Sequence, residues 1–191
     1  MDKGRMEAFS DGVIAVIITI MVLEMKAPIG NNLTDLRPML PVFVSYLLSY
    51  IYVGIYWNNH HHLLHATERV SGAVLWANLH LLFWLSLVPF ATAWMGNTKF
   101  ARWPVAAYGC VLLAAAIAYW LLVRALLHIH SSHTVLADAI GRDRKGKLSV
   151  LVYIAAIPLA LWWPWAGCVA YALVAAVWLV PDRRIERRLH A

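Results

Sequence analysis

Long apolar stretches separated by short polar segments run through the whole chain. Six of them can be marked in the 191 residues, at 6–25, 41–59, 72–95, 103–127, 148–163 and 166–181. A helix needs about 20 mostly apolar residues to cross the hydrocarbon core of a bilayer, and the first four stretches come close to that length. The pattern predicts an all-α integral membrane protein with six transmembrane helices in one domain, residues 1–191.

The last two stretches are short, which leaves an alternative open. They are joined by the sequence Trp162-Trp163-Pro164-Trp165-Ala166-Gly167, which is typical of a tight turn at the membrane surface because amphipathic rings settle there. Five spanning helices, with 148–181 partly re-entrant, would also fit the hydropathy. The distribution of charge favours six.

Basic residues fall mainly on one side of the predicted bundle. With the N-terminus inside, twelve of the 16 Lys and Arg lie on the inner segments: Lys3, Arg5, Arg69, Arg124, Arg142, Arg144, Lys145, Lys147, Arg183, Arg184, Arg187 and Arg188. The other four lie outside: Lys26, Arg37, Lys99 and Arg102. Cytoplasmic segments are rich in Lys and Arg, so both termini are predicted to be cytoplasmic. An odd number of spans would place one basic cluster on the opposite side.

Composition agrees with a membrane location. Apolar residues make up 62% and charged residues only 14%, against about 25% charged in ordinary soluble domains. The net charge of +6 comes from basic runs beside apolar stretches, which favours anionic lipid headgroups over a nucleic-acid partner. The stretch 6–25 is interrupted by Ser10 and Asp11 and lacks a small-residue cleavage pattern, so it is interpreted as a retained first helix rather than a signal peptide.

Asp11 stands out inside the first predicted helix. An ionised Asp facing lipid at mid-depth costs roughly 2.5–3.5 kcal/mol on insertion scales, so its side chain should face protein or water. At a helical period Glu7 shares its side. A different side carries Val16, Thr19, Ile20 and Leu23.

The second and third stretches carry more polar groups at a similar depth. If neighbouring helices are antiparallel, one polar layer joins Arg5, Ser10, Asp11, Trp57, His60 or His61, Asn78 and His80. Buried polar groups in such a layer can satisfy each other, which would make it a structural clasp, a proton relay or part of an ion path. His61 and His65 have a possible zinc spacing, but only the distant Glu68 could complete a site, so no metal is predicted.

Motifs for catalysis are absent from the sequence. There is no hydrolase elbow, phosphate-binding loop, dinucleotide fingerprint or zinc-protease motif, so no enzyme activity is predicted. A Thr-Val-Gly-Tyr-Gly filter is also absent, which excludes the potassium channels built on that loop.

The first half of the chain resembles the transmembrane protein 175 family, potassium-selective channels of animal endosomes and lysosomes and of prokaryotic membranes. Helix 1 agrees in Arg5-x-x-x-Phe9-Ser10-Asp11-Gly12-Val13, followed by Ala15, Thr19 and Val22-Leu23. Further agreement is found in Ser49-Tyr50, Trp57-x-x-His60-His61, Asn78 to Leu82, Ser86-Leu87 and Pro89-Phe90. The resemblance covers residues 5–95, and the second half is similar only in hydropathy. Animal members have two six-helix repeats, whereas this chain has one, like the prokaryotic members.

The resemblance implies a homotetramer in a prokaryotic cell membrane, with a central pore lined by helix 1. The implied constriction and selectivity residues are Val16, Thr19, Ile20 and Leu23, with Val16 at a main bottleneck usually occupied by Ile. The family also implies a structural network of Arg5, Phe9, Ser10, Asp11, Trp57, His60, His61 and Asn78. No cofactor is expected, and monovalent cations, chiefly K⁺, are the permeant species.

These expectations define a leak-type potassium channel with a hydrophobic neck. Closure would occur by dewetting of the neck, and Glu24 and Asp35 near the outer mouth would raise the local cation concentration. Two alternatives stay open. One is a proton-coupled transporter or proton pathway that uses Asp11 and the histidines of helices 2 and 3, and the other is an accessory membrane subunit.

Overall fold

The computed structural model of the chain describes residues 3–67, 69–129 and 144–179, and these residues form helices joined by short connections. In chain order the α-helices are α1 (Lys3–Leu23), α2 (Leu40–His65), α3 (Gly72–Ser86), α4 (Val88–Asn97), α5 (Arg102–Ile129), α6 (Arg144–Trp162) and α7 (Pro164–Leu179). A 3₁₀ helix, Leu33–Met39, precedes α2. The predicted all-helical fold is confirmed.

Most of these helices are long and apolar enough to cross a membrane. Five candidate spans are found in the described residues, with α3 and α4 together forming one of them, and α7 is a shorter apolar helix. The part of the alternative re-entrant region 148–181 that the structure describes lies in α6 and α7, helices of 19 and 16 residues that pack against each other. The predicted end of the last helix at 181 and the basic cluster at 183–188 lie outside the described residues.

Helix α2 continues six residues beyond the predicted end at position 59. The polar residues that suggested the end remain helical because their side chains find partners within the bundle. Asn59 Nδ2 donates to the Ile55 carbonyl at 2.8 Å, one turn back, and His60 is buried against α3. Polar side chains that find such partners do not need water, so the helix continues through Asn59 and His60.

The third predicted helix, 72–95, is divided in two. Helix α3 ends at Ser86 and α4 begins at Val88, with Pro89 in the first turn of α4. Proline lacks the N–H that a continuous helix requires and its ring clashes with the preceding turn, so the break falls just before it. No broken helix was expected from the sequence. Ser86 and Thr92 beside the break bond the carbonyls of Phe83 and Val88 in their own helices.

The helices enclose two apolar clusters. The first lies between α1, α2, α3 and the second half of α5, with fully buried Leu64, Leu81 and Leu122 at its centre. The second lies between α2, α4, the first half of α5, α6 and α7, and contains Tyr108 and Tyr171. Close approach in this second cluster depends on glycine. A Cβ at Gly167 would lie 2.7 Å from the Cβ of Ala160.

Hydrogen bonds align the ends of the first helices. Lys3 Nζ, at the start of α1, donates to the carbonyl of Thr67 at 2.9 Å, just beyond the end of α2. The start of α1 and the end of α2 therefore lie at one end of the bundle, which we call the α1-start end.

Candidate functional site

Three buried side chains from three helices form a hydrogen-bonded network at the α1-start end. Asn78 Nδ2 on α3 donates to Ser10 Oγ on α1 at 2.9 Å, and Asn78 Oδ1 lies 2.7 Å from His60 Nε2 on α2. Ser10 Oγ in turn donates to the Met6 carbonyl at 2.8 Å. Ser10, His60 and Asn78 are each no more than 1% exposed, and we call them the amide–histidine network.

The bonds of this network have one consistent direction. Because an amide oxygen only accepts, His60 must carry its proton on Nε2 and donate to Asn78. The amide then donates to Ser10, whose own proton is used on the Met6 carbonyl. His60 Nδ1 is buried without a hydrogen-bond partner among the described residues. The two bonds made by Asn78, one with Ser10 and one with His60, therefore hold three helices in register.

A second polar contact lies beside the first and is partly exposed. Trp57 Nε1 on α2 donates to Asp11 Oδ1 at 3.0 Å. One turn further along α2, His61 Nδ1 lies 3.4 Å from Glu7 Oε1, and the His61 ring stacks on Trp57 with a centroid distance of 5.9 Å. Asp11 and Glu7 thus share one face of α1, as the helical period indicates, and that face meets α2.

Two residues of the predicted layer, Arg5 and His80, lie outside these contacts, and so does Phe9 of the network that the resemblance implies. Arg5 and Phe9 are exposed, and within the described residues no hydrogen bond or ion pair joins Arg5 to the layer. Successive helical residues are rotated by about 100°, so both point away from the buried face that carries Ser10. His80 is also exposed and accepts a hydrogen bond from Trp84 Nε1 at 2.9 Å within its own helix.

The histidines do not assemble a metal site in the part of the chain that the structure describes. His61 and His65 stack with a centroid distance of 6.3 Å, and no group of three potential ligands comes together there.

The four predicted pore residues all lie on an exposed face of α1. Val16 is 55% exposed, Ile20 42% and Leu23 78%, and Thr19 is exposed as well. The opposite face of the same helix carries Ile14, Ile17 and Met21, each 3% exposed or less. Helix α1 is therefore packed on one side only, and between Val16 and Leu23 its unpacked side is apolar apart from Thr19.

Thr19 supplies the polar atom on this face. Its hydroxyl donates to the Val16 carbonyl at 2.8 Å, one turn back along α1. Since the single proton is used inside the helix, the oxygen lone pairs remain available to a cation.

An open groove runs along one flank of this face. It has a volume of about 750 Å³ and lies between α1 and the α3–α4 break, with Phe9, Val16 and Ile20 on one wall and Pro89 and Phe90 on the other. Glu24 lines its far end, whereas Asp35 accepts the Asn32 N–H at 2.9 Å and caps the 3₁₀ helix. Of the two acidic residues expected near the outer mouth, Glu24 alone lines this groove.

Sequence reasoning missed a second buried polar region, deep in the bundle. Ser49 Oγ lies 2.6 Å from Thr92 Oγ1 and 3.0 Å from the Tyr108 hydroxyl, and the Tyr153 hydroxyl donates to that of Tyr52 at 3.2 Å. The Tyr52 hydroxyl donates to the Tyr171 carbonyl. We call the six residues the hydroxyl cluster: Ser49, Tyr52, Thr92, Tyr108, Tyr153 and Tyr171.

The hydroxyl cluster joins α2 to α4, α5, α6 and α7. Its one sequence signal was the presence of Tyr108, Tyr153 and Tyr171 in the interiors of the later apolar stretches, away from the interfaces that tyrosine favours.

Comparison with known families and proteins identifies relatives of the chain. Residues 5–89 match the family described as the endosomal/lysosomal potassium channel TMEM175. A potassium channel of Chryseobacterium sp. (strain P1-3) is 51% identical over 189 residues, covering 99% of this chain and 98% of that protein. The similarity therefore extends through the second half, where the sequence alone indicated agreement in hydropathy only.

A more distant relative is the human endosomal/lysosomal proton channel TMEM175. It is 29% identical over 116 residues, covering 54% of this chain and 23% of that protein.

The fold has a counterpart among solved structures. The crystal structure of a lysosomal potassium-selective channel TMEM175 homolog from Chamaesiphon minutus superposes with a TM-score of 0.81 at 28% identity. The match covers 93% of this chain and 96% of that one. Fold, family match and full-length identity agree, and the chain belongs to the TMEM175 family of ion channels.

Proposed function

We propose that this protein is a potassium-selective, leak-type channel in which copies of α1 line the pore. The observation that carries the proposal is the one-sided packing of α1: Ile14, Ile17 and Met21 are buried, whereas Val16, Ile20 and Leu23 are exposed. An exposed apolar face on a helix that is packed on its other side suits a surface that faces an ion path. The potassium-channel relatives support the same function.

One copy of α1 cannot enclose a path, so the channel requires several copies arranged around an axis. A closed ring built from one repeated contact is the usual solution, and four copies match the tetramer that the family resemblance implies. The groove beside α1 supplies a surface for the neighbouring copy. We place the assembly in a prokaryotic cell membrane with both termini cytoplasmic, because the basic residues favour that orientation.

The neck would select by size and hydration rather than by a cage of carbonyl groups. Rings of Val16, Ile20 and Leu23 side chains form apolar constrictions that close by dewetting. Thr19 adds one ring of oxygen atoms with free lone pairs. An ion therefore crosses the neck still partly hydrated, and Glu24 at the other end of α1 attracts cations to the entrance.

The test is ion flux through the purified protein in liposomes that hold opposing K⁺ and Na⁺ gradients. A reversal potential near the potassium equilibrium value is expected. A clear current that reverses near zero would refute potassium selectivity and indicate a wide neck at Val16. Absence of current would refute conduction by this chain alone and favour the accessory-subunit alternative.

Matched substitutions test the position of the pore. Val16→Ala and Leu23→Ala should change conductance or the K⁺/Na⁺ permeability ratio, because each alters every copy of the neck at once. Val169→Ala and Leu151→Ala are the controls, since these side chains are similarly exposed, at 57% and 64%, on the later helices. Equal currents in all four variants would show that this face of α1 does not line the pore.

A second candidate function, a proton pathway, is favoured by the vertebrate relatives. The zebrafish and human proteins are both described as proton channels. In this chain the partly exposed Asp11, Glu7 and His61 lie together and could carry protons at the α1-start end. Liposomes with a pH gradient and no K⁺ test this, and the candidate requires proton flux that falls in His61→Gln. No proton flux, or equal flux in the variant, would exclude the pathway.

A further inference from the structure

An open pocket lies at the end of the bundle opposite the α1-start end, away from α1. Its volume is about 530 Å³, and it is bounded by the start of α5 and by the turn between α6 and α7. The side chains used below are Arg102 and Trp103 at the start of α5, and Leu161 and Trp162 at the end of α6.

Arg102 brings an uncompensated positive charge to this pocket. Helices α5, α6 and α7 contain no Asp or Glu between 102 and 129 or between 144 and 179. The ion pair between His61 and Glu7 lies at the other end of the bundle. An exposed guanidinium with no acidic neighbour on its own helices is available to an anion, and its planar fork suits a phosphate.

The rest of the pocket is aromatic and apolar. Trp103 is 65% exposed and Trp162 90% exposed, and neither indole N–H has a hydrogen-bond partner within the described residues. Tryptophan in this arrangement offers apolar ring surface toward the hydrocarbon and a donor toward the headgroups. The pocket therefore combines one guanidinium cation and two indole N–H donors with an apolar wall.

The backbone before Arg102 is held in an uncommon conformation. Lys99 and Phe100 both have left-handed φ values, 52° and 61°. Phe100 is buried, its N–H donates to the Met95 carbonyl at 2.9 Å, and its ring lies 5.0 Å from that of Trp165 in α7. Such backbone strain persists only where the surroundings fix it, so the turn that leads into Arg102 is held against α7.

We propose that this pocket binds the phosphate of a membrane phospholipid, with Arg102 on the phosphate and an acyl chain along Trp103, Leu161 and Trp162. The charge accounts for the phosphate, and the apolar wall accounts for the chain. A free phosphate ion would leave the exposed indole rings unused. The site lies on the later helices and does not depend on the pore proposal.

The test is native mass spectrometry of the delipidated full-length protein in detergent, titrated with dioleoylphosphatidylglycerol. Arg102→Gln should weaken the tightest bound lipid about fivefold, the order expected for one basic contact at a membrane surface. Trp162→Ala should weaken it as well. Melting temperatures measured without lipid should match that of the wild type, because Arg102 and Trp162 are exposed.

Lys99→Gln is the matched control. Lys99 is exposed and basic, lies three residues earlier and does not line the pocket, so lipid affinity should be unchanged. Equal weakening in Lys99→Gln and Arg102→Gln would reduce the effect to general surface charge and overturn the site. No weakening in Arg102→Gln would overturn it too. Competition by glycerophosphoglycerol, the headgroup without acyl chains, at the concentration of the lipid would show a site for soluble phosphate esters instead.

Discussion

The two buried polar regions of this bundle differ in chemistry and in how they hold helices together. The amide–histidine network joins α1, α2 and α3 through Ser10, Asn78 and His60, and a single amide makes both bonds between helices. The hydroxyl cluster joins α2 to the four later helices through several hydroxyls, none of which carries every contact. The first region therefore depends on one residue, whereas the second is distributed.

This difference shows that a polar group that is costly to bury unpaired is also easier to predict from the sequence. An amide or an imidazole is expensive to bury unpaired, so its presence in an apolar stretch predicts a partner. Ser and Thr can bond their own helix at i−3 or i−4, and a tyrosine ring packs like any aromatic side chain, so neither requires a partner from another helix. Four predictions follow the contrast from its largest expected effect to its smallest.

Asn78→Leu should be the most damaging change. It leaves Ser10 and His60 buried without their interhelical partner, which we expect to cost about 2–4 kcal/mol. Thermal denaturation of the detergent-solubilised protein, monitored by size-exclusion chromatography, measures this loss of stability. Asn58→Leu is the control, because Asn58 is an exposed amide on α2. If the two variants have the same melting temperature, the network does not hold the three helices together as its geometry indicates.

Gly109→Ala tests the packing beside the hydroxyl cluster. The added Cβ would overlap the Tyr171 hydroxyl and reach 3.0 Å from Ile157 Cγ1, so we expect a loss of about 1–3 kcal/mol from overpacking. The melting temperature in detergent reports it. Gly72→Ala is the matched change, since its Cβ would meet nothing within 4 Å. An unchanged melting temperature in Gly109→Ala would mean that α5 and α7 can move apart at little cost.

Thr92→Val should cost less, because the cluster is distributed. Thr92 loses its contact with Ser49, while Ser49 keeps Tyr108. A hydrogen bond between membrane helices averages about 0.6 kcal/mol and reaches at most about 1.7 kcal/mol. Thr98→Val removes a similar i−4 bond, to the Trp94 carbonyl, at an exposed site and serves as the control. A loss as large as that of Asn78→Leu would break the contrast between the two regions.

Asp11→Asn should have the smallest effect on stability. The amide keeps an oxygen that accepts from Trp57 Nε1, so the protein should assemble as the wild type does and have a stability within about 0.5 kcal/mol of it. Liposome flux then separates the roles left open for Asp11. Unchanged current means that the contact fastens helices, whereas altered current in an intact assembly means that its charge acts on the ion. Trp57→Phe removes the donor and keeps the Asp11 charge, so it should lower the stability and leave the current unchanged.

Much of the α1–α3 region was predictable from residue type and depth. Asp11, His60 and Asn78 were expected at one level because antiparallel neighbours place such positions together, and the structure finds partners for each. The choice between His60 and His61 was not predictable. It depends on the rotation of α2, which buries His60 against Asn78 and turns His61 toward Glu7.

By itself, the sequence determined the helical class, the number of apolar segments and the side of α1 that carries Val16, Thr19, Ile20 and Leu23. These properties follow from hydropathy and helical period, which are local. The tertiary structure alone decided that α3 breaks before Pro89, and that Arg5, Phe9 and His80 stay outside the network. It also decided which buried hydroxyls of α2, α4, α5 and α6 bond one another, and that one of them reaches a backbone carbonyl of α7. Those outcomes depend on how each helix is rotated against its neighbours, and that rotation is set by the packing of the whole bundle rather than by any one segment.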